Sequence, residues 1–201
     1  FAISFFVMWT IVVEFIKGTL VRMKNSDENF LVALYMLSRK NTRRYGGYII
    51  HAGIVIMFIG FTGNAFNSET RAEVGEGDSF QLGPYTFLAQ KITHEQNENY
   101  SSETLDMEMS KDGKFVQMIS PQKRYYFASE QPSTEVDIYS NLREDIYAVL
   151  SGMSNDGERV IVQVYRNPMV SMVWVGSLIL VLGTLFAMIP NLREKKSRGA
   201  A

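Results

Sequence analysis

The sequence predicts a membrane protein with three transmembrane α-helices and an all-β extracytoplasmic domain that forms a small sandwich or barrel. Three apolar blocks, at residues 2–21, 47–66 and 169–189, each approach the ~20 residues that cross a bilayer core. Between the second and third blocks, short runs rich in β-branched and aromatic residues alternate with turn residues, which is typical of strands. The 201 residues include no cysteine, which excludes a disulfide framework and thiolate metal sites.

The charge distribution predicts which side of the membrane each segment faces. Residues 67–167 hold nine basic and seventeen acidic side chains, a net of −8, whereas the remainder holds eleven and four, a net of +7. Basic residues gather beside the spans, at Arg22, Lys24, Arg39, Lys40, Arg43, Arg44, Arg193, Lys195, Lys196 and Arg198. Such segments stay in the cytoplasm, so the acidic region is expected in the periplasm. Because topology explains the basic clusters, no nucleic-acid partner is predicted.

The first predicted span covers residues 1–22 and carries two charged side chains, Glu14 and Lys17. Their spacing of three places them on one helix face, where they can form an ion pair. This favours a structural pair, and a proton-path role for Glu14 is the alternative. The sequence opens at Phe1 inside an apolar run, without an initiator methionine or a signal-peptide pattern. The chain is therefore expected to be part of a longer one.

Residues 23–46 are predicted to be a cytoplasmic loop that contains an amphipathic helix. Within this loop, residues 26–40 begin with Ser26-Asp27-Glu28, which is a helix-start signal. An apolar stripe follows and ends in two basic residues. These features predict a helix that lies on the inner surface of the membrane.

The second predicted span, residues 47–66, bears His51 about one turn inside its apolar run. An ionisable side chain at membrane depth costs free energy and by default indicates function, and imidazole is a common ligand of haem and other metals. On a helix, one stripe contains Gly47, His51, Ile54, Val55 and Phe58. Gly47, one turn before His51, leaves room for a flat macrocycle or for a close neighbouring helix. The alternative is that His51 only hydrogen-bonds a neighbouring helix.

Residues 67–167 are predicted to form the periplasmic β-domain. The candidate strands are residues 70–75, 79–82, 84–93, 103–110, 114–120, 124–128, 133–139, 146–151 and 159–166. The turns between them include Lys111-Asp112-Gly113-Lys114 and Asn155-Asp156-Gly157-Glu158, and Asp-Gly is a strong hairpin signal. His94 lies in a polar stretch, and a ligand role is not favoured for it. The acidic residues are interpreted as a solvated surface, with no nucleophile–base pair or paired carboxylates indicated.

The third predicted span, residues 168–190, begins with Pro168, which suits a first helical turn. Trp174 is interpreted as an anchor at the membrane interface. Gly176 and Gly183 are seven residues apart on one face and predict close helix packing. Residues 191–201 are predicted to be a basic cytoplasmic tail.

Several motifs follow one another in a recognisable order. They are Asn41-Thr42-Arg43-Arg44-Tyr45-Gly46-Gly47-Tyr48-Ile49-Ile50-His51, Ile59-Gly60-Phe61-Thr62-Gly63, Pro121-Gln122-Lys123-Arg124-Tyr125-Tyr126, Ser133-Thr134-Glu135-Val136-Asp137-Ile138, Asp145-Ile146-Tyr147-Ala148-Val149-Leu150, and Asn167-Pro168-Met169-Val170 with Trp174. In these motifs the sequence resembles the C-terminal part of the CcmF family of cytochrome c-type biogenesis proteins. The strongest single piece is Arg-Arg-Tyr-Gly-Gly followed by the helix-borne histidine.

The resemblance implies a haem lyase subunit of the bacterial inner membrane. Such a protein takes haem from a haem chaperone and attaches it through thioethers to apocytochrome c, which thiol-reduction and presentation subunits supply. The resemblance also implies a b-type haem held by two transmembrane histidines, and His51 matches the second of these by its motif. The catalytic residues are unknown. The family's tryptophan-rich signature and its extracytoplasmic histidine pair are absent, since Trp9 and Trp174 stand in other contexts.

Two hypotheses for the function follow. In the first, the chain is the C-terminal portion of a haem lyase, completed by the rest of that protein or by a second chain. His51 then ligates a haem b that reduces incoming haem before thioether attachment. In the second, the chain is a non-catalytic, membrane-anchored periplasmic scaffold of an assembly complex, and His51 is merely packed.

Overall fold

The computed structural model describes residues 1–154 and 158–191. The chain divides into a helical unit, formed by Phe1–Thr62 and the segment from Val170 onward, and a β unit, Gly63–Met169. The predicted fold class is confirmed: the chain combines apolar helices with an antiparallel β-sandwich.

The helices of the helical unit are α1 (Ala2–Met23), α2 (Phe30–Lys40), α3 (Thr42–Thr62) and α4 (Val170–Met188). A 3₁₀ turn, Gly63–Phe66, continues directly from α3. Within the described residues, α1, α3 with its 3₁₀ turn, and α4 are long and apolar enough to cross a membrane, judged by length and composition.

Glycines bring α3 and α4 into backbone contact. A Cβ added at Gly53 would lie 2.7 Å from the carbonyl oxygen of Gly176, and one added at Gly176 would lie 2.6 Å from that of Gly53. At the next contacts, a Cβ on Gly183 would lie 2.9 Å from Ile49, and one on Gly46 would lie 2.6 Å from the Cβ of Ala187. The close packing predicted for Gly176 and Gly183 is confirmed, and small residues on α3 complete it.

The helix-start signal at Ser26-Asp27-Glu28 was placed too early, because α2 begins at Phe30. The side chain of Asn29 caps the helix by accepting a hydrogen bond from the backbone N–H of Val32 at 2.9 Å. Glu28 instead forms an ion pair with Arg22. Its two carboxylate oxygens accept hydrogen bonds from the Arg22 guanidinium at 2.6 Å each, and these bonds lower the pKa of Glu28.

The described part of the β unit has ten antiparallel strands: β1 (Ser68–Val74), β2 (Ser79–Leu82), β3 (Tyr85–Gln96), β4 (Tyr100–Lys111), β5 (Lys114–Ile119), β6 (Gln122–Tyr126), β7 (Gln131–Glu135), β8 (Asp137–Ser140), β9 (Glu144–Met153) and β10 (Val160–Pro168). One sheet has the order β1-β10-β9-β8. The other has the order β2-β3-β4-β6-β7, with β5 also paired to β4. Two packed sheets make a sandwich rather than a barrel.

The hydrophobic core lies between the sheets and follows the two-residue period of each strand. Its side chains include Leu105, Met107 and Met109 on β4, Ile146, Ala148 and Leu150 on β9, and Val160, Val162 and Val164 on β10, all fully buried. The predicted Asp-Gly hairpin between β4 and β5 is confirmed, since Asp112 and Gly113 have φ values of 50° and 76°. The turn predicted at 155–158 begins outside the described residues.

One predicted strand proved to be two. Residues 133–139 are divided between β7 and β8, which belong to different sheets. The division falls at Val136, where the chain passes from one sheet to the other. Asp137, the first residue of β8, accepts a hydrogen bond from the backbone N–H of Ser120 at 2.7 Å. A strand-like composition runs through this crossing, so the pattern alone does not reveal it.

Candidate functional site

His51 lies on an exposed face of α3 and is held by its own helix. Its Nδ1 is 2.7 Å from the carbonyl oxygen of Gly47, one turn earlier. Because a carbonyl oxygen only accepts, Nδ1 carries a hydrogen in this contact, and in the neutral ring Nε2 then keeps its lone pair. A backbone carbonyl fixes the tautomer of many metal-ligating histidines in this way. The ring is therefore oriented with one nitrogen ready to act as a ligand.

The predicted stripe of α3 forms one wall of an apolar groove of about 480 Å³. Its lining residues are Phe1, Ile3, Ser4, Val7, His51, Ile54, Val55, Phe58 and Thr62. The groove lies between the first turns of α1 and the second half of α3, and its volume falls within the range of small-molecule sites. Apart from His51 and two hydroxyls, its walls offer hydrocarbon, which suits a flat apolar ligand.

Two adjacent glycines of α3 have different surroundings. A Cβ on Gly46 would collide with Ala187 of α4, whereas a Cβ on Gly47 would meet no atom within 4 Å. The space on the His51 face is thus open over Gly47 and is not filled by a neighbouring helix among the described residues. Within this chain, Gly47 therefore leaves space on the His51 face, which either predicted use requires.

A polar cluster lies at the beginning of α3. The Nη2 of Arg44 donates to Glu14 Oε2 on α1 at 2.7 Å, and the Nε of Arg44 donates to the Tyr48 hydroxyl at 3.1 Å. That hydroxyl also lies 3.4 Å from the same Glu14 oxygen. The predicted pair of Glu14 with Lys17 is therefore wrong, because Glu14 binds a guanidinium on another helix. Sequence spacing within α1 gives no signal for a partner thirty residues away.

These residues fit one side of a haem site. The free Nε2 of His51 offers an iron ligand, the groove offers apolar walls, and Gly47 leaves the adjoining space open. His94, the other histidine, lies exposed on β3 of the β unit. No group of three or more potential metal ligands occurs among the residues that the structure describes. This chain therefore offers a single imidazole to such a haem.

The β unit contains a buried ionic network that the sequence did not reveal. Glu144 is only 4 % exposed and accepts hydrogen bonds from the Tyr85 hydroxyl and Lys111 Nζ, both at 2.8 Å, and from Arg166 Nε. Burial raises the pKa of Glu144, but hydrogen bonds from Lys111, Tyr85 and Arg166 outweigh it and lower the pKa to about 2. The same bond to Glu144 raises the pKa of Lys111. The network joins β3 and β4 of one sheet to β9 and β10 of the other.

The interpretation of all acidic residues as solvated was therefore wrong for Glu144. A usable signal was present: Glu144 has the same parity as Ile146, Ala148 and Leu150, so it lies on the core-facing side of β9. Every polar atom of this buried carboxylate is paired, which is typical of a structural role.

A polar cleft of about 250 Å³ lies in the β unit. Its lining residues are Ser101, Glu103, Lys123, Arg124, Tyr125, Pro132, Gly152 and Met153. The Lys123 ammonium donates to the carbonyl oxygen of Ser151, so it is engaged with β9. The cleft holds no nucleophile–base pair among the residues that form it, so its chemistry favours contact over catalysis.

Comparison with known proteins places this fold in a family. Residues 65–168 match the family model described as the CcmF C-terminal beta-sandwich. The chain is 30% identical over 152 residues to the cytochrome c-type biogenesis protein CcmF of Pseudomonas aeruginosa, and 30% identical over 163 residues to that of Haemophilus influenzae. These matches cover 75% and 80% of this chain but 23% and 24% of the relatives, so the chain spans about a quarter of their length.

A solved structure has the same fold. Its title is "Cytochrome c Heme Lyase CcmF", and it matches with a TM-score of 0.64 at 14% sequence identity. The match covers 90% of this chain and 34% of the solved chain.

Proposed function

This chain belongs to the CcmF family, and we propose that it forms the C-terminal part of a cytochrome c haem lyase in which His51 is one axial ligand of a membrane-embedded haem b. The second ligand comes from the rest of the lyase or from a second chain. The tryptophan-rich region that handles the transferred haem lies there as well.

The observation that carries this proposal is the state of the His51 ring. Its Nδ1 is bound to the Gly47 carbonyl, so the nitrogen left for another partner is Nε2, beside an apolar groove and above an open glycine. At membrane depth a polar nitrogen without a partner costs free energy, so Nε2 favours a ligand there.

In this role, each residue of the chain has a physical task. His51 would hold the iron through Nε2, the Gly47 carbonyl fixes the orientation of the ring, and the groove would place apolar side chains against the haem. Bound there, a haem would supply one-electron transfer. We propose that it would pass one electron to an incoming ferric haem and be oxidised in turn, with an external electron donor restoring it, because thioether attachment to apocytochrome c requires ferrous iron.

The basic flanks support a location in the bacterial inner membrane, with α1, α3 and α4 as spans and the β unit in the periplasm. There the sandwich would dock the haem chaperone, apocytochrome c or the thiol-reduction and presentation subunits. A specific feature favours docking: Tyr125 and Phe127 pack edge to face at 6.2 Å between ring centres while both remain exposed. A purely scaffolding chain, with His51 unused, is the second candidate function.

The test uses His51→Ala in the full-length protein. Loss of one axial ligand should remove or shift the reduced haem b absorbance and depress cytochrome c maturation, and His94→Ala is the matched control that should do neither. An unchanged reduced spectrum with full maturation in His51→Ala would leave the scaffold as the function.

A further inference from the structure

We infer that Arg44, supported by Tyr48, binds a propionate carboxylate of the haem held at His51, and that Glu14 competes for the same guanidinium. This inference rests on the proposed function, because it requires a haem at His51. It assigns a cofactor-positioning role to the polar cluster between α1 and α3.

The guanidinium of Arg44 already binds a carboxylate. Its Nη2 donates to Glu14 at 2.7 Å and its Nε to the Tyr48 hydroxyl at 3.1 Å, which together use two of its five N–H groups. The Arg44 side chain is 59 % exposed, so further donors are accessible. The carbon at the centre of the guanidinium lies 5.7 Å from the ring centre of Tyr48, which holds the group in place.

Arg44 lies on the same face of α3 as His51. The two are seven residues apart, which is nearly two full turns and about 10 Å along the helix axis. The His51 ring also leans toward the start of the helix, as its bond to the Gly47 carbonyl shows. The space over Gly47, between the two side chains, is open. A haem centred on Nε2 can therefore place one edge over Gly47 toward Arg44, while its opposite edge enters the groove that runs from His51 to Thr62.

Haem b carries two carboxylates on one edge of an otherwise apolar ring. The apolar groove beside His51 can receive the ring, but an unpaired carboxylate in such a place would be costly. Arginine suits this position because its planar fork matches a carboxylate. Arg43, the adjacent basic residue, is turned about 80° round the helix from His51, whereas Arg44 is turned only about 20° from it.

The ion pair with Glu14 stabilises the Arg44 guanidinium between the apolar helices α1 and α3. The pair is neutral, so it lowers the cost of a charge near hydrocarbon. A propionate brings the same chemical group as Glu14 and would share or take over its donors. Removing the Glu14 carboxylate should then strengthen, not weaken, the hold on a haem carboxylate.

The experiment titrates the full-length protein, freed of haem, with protohaem or with its dimethyl ester, which lacks the free carboxylates. The wild-type protein should bind protohaem more tightly than the dimethyl ester. Arg44→Gln should weaken protohaem binding by roughly tenfold or more and leave ester binding unchanged, since only charge-assisted hydrogen bonds are lost. Glu14→Gln should tighten protohaem binding, and Arg43→Gln is the matched control that should keep the wild-type preference.

Unchanged ester binding by Arg44→Gln also shows that the variant is folded. If Arg44→Gln weakens both ligands equally, or neither, the inference is overturned, although His51 can still be the ligand. His51→Ala should lose both ligands, and its failure to do so would instead overturn the proposed function on which the inference rests.

Discussion

Two ionisable side chains of this protein, Glu144 and His51, are held in contrasting ways. Glu144 accepts hydrogen bonds from three side chains on both sheets of the sandwich, so its lone pairs are used and its charge is balanced. His51 makes one bond, to its own helix, and keeps the lone pair of Nε2. The first arrangement stabilises the native state, and the second leaves a ligand atom available.

The first prediction concerns the pH dependence of the β unit. The pKa of Glu144 in the folded protein is about 2, below the ordinary value of 4.5, so the stabilisation by its charge is present above pH ~4.5. It should be lost as the pH falls from ~4.5 to ~2, and it amounts to about 3 kcal/mol at most. Glu144→Gln should lose that contribution at neutral pH, because Lys111 and Arg166 lose their counter-charge.

Hydrogen exchange of the β9 amides in the full-length protein measures this effect. The exposed Glu98 provides the control, since Glu98→Gln should change the opening free energy by no more than about 0.5 kcal/mol. Equal pH dependence in wild type and Glu144→Gln would show that another carboxylate is responsible.

At the residue scale, the sequence indicated His51 but not the paired carboxylates Glu144 and Glu14. His51 was identifiable because one histidine in an apolar run is conspicuous by itself. Glu144 and Glu14 were not, because the partners of Glu144 lie on distant strands and the partner of Glu14 on another helix. Side chains paired across a fold leave no spacing signal in the chain.

At the scale of elements, α3 presents different faces to different neighbours. One face carries Gly46 and Gly53 and touches α4, and another carries Gly47 and His51 and borders the groove. Adjacent glycines on a single helix thus allow close packing on one side and space for a ligand on the other.

The second prediction separates these two uses of glycine. Gly53→Ala puts a methyl 2.7 Å from the Gly176 carbonyl oxygen, so it should destabilise the helix pair by about 1–3 kcal/mol and lower the protein's level in membranes. Gly47→Leu meets no protein atom at its Cβ, so it should leave that level unchanged but reduce haem content. Immunoblots measure the level of each full-length variant in membranes, and haem assays measure its haem content. A lower level for Gly47→Leu, or a normal level with reduced haem for Gly53→Ala, would contradict the two roles assigned to these glycines.

The elements themselves were largely predictable. The apolar runs indicated α1, α3 and α4, and Asp-Gly placed the β4–β5 turn. Two boundaries were wrong: α3 begins at Thr42, five residues before the predicted span, and Pro168 ends β10 instead of opening α4, which begins at Val170. The start of α2 and the break at Val136 were not predicted. Both depend on contacts outside the local pattern, namely the Glu28–Arg22 ion pair and the passage of the chain between sheets.

At the scale of the whole molecule, the chain combines a helical unit that carries His51 with a sandwich whose described residues show no group of three or more potential metal ligands. The segregation of charge along the chain is the largest-scale signal in the sequence. It predicts the orientation of both units with respect to the membrane.

The third prediction tests that orientation. Single cysteines are introduced by Glu98→Cys in the β unit and by Lys24→Cys between α1 and α2, in a cysteine-free background of the full-length protein. An impermeant maleimide should label the first in intact spheroplasts and the second only after permeabilisation. Labelling of both cysteines from the same side would contradict the predicted orientation.

The central claim is that Nε2 of His51 binds the haem iron, and electron paramagnetic resonance of the oxidised full-length protein tests it most directly. We expect a low-spin ferric signal in the wild type, a high-spin five-coordinate signal in His51→Gly, and return of the low-spin signal when imidazole is added to the variant. A His51→Gly variant that keeps the wild-type low-spin signal without imidazole would contradict the account.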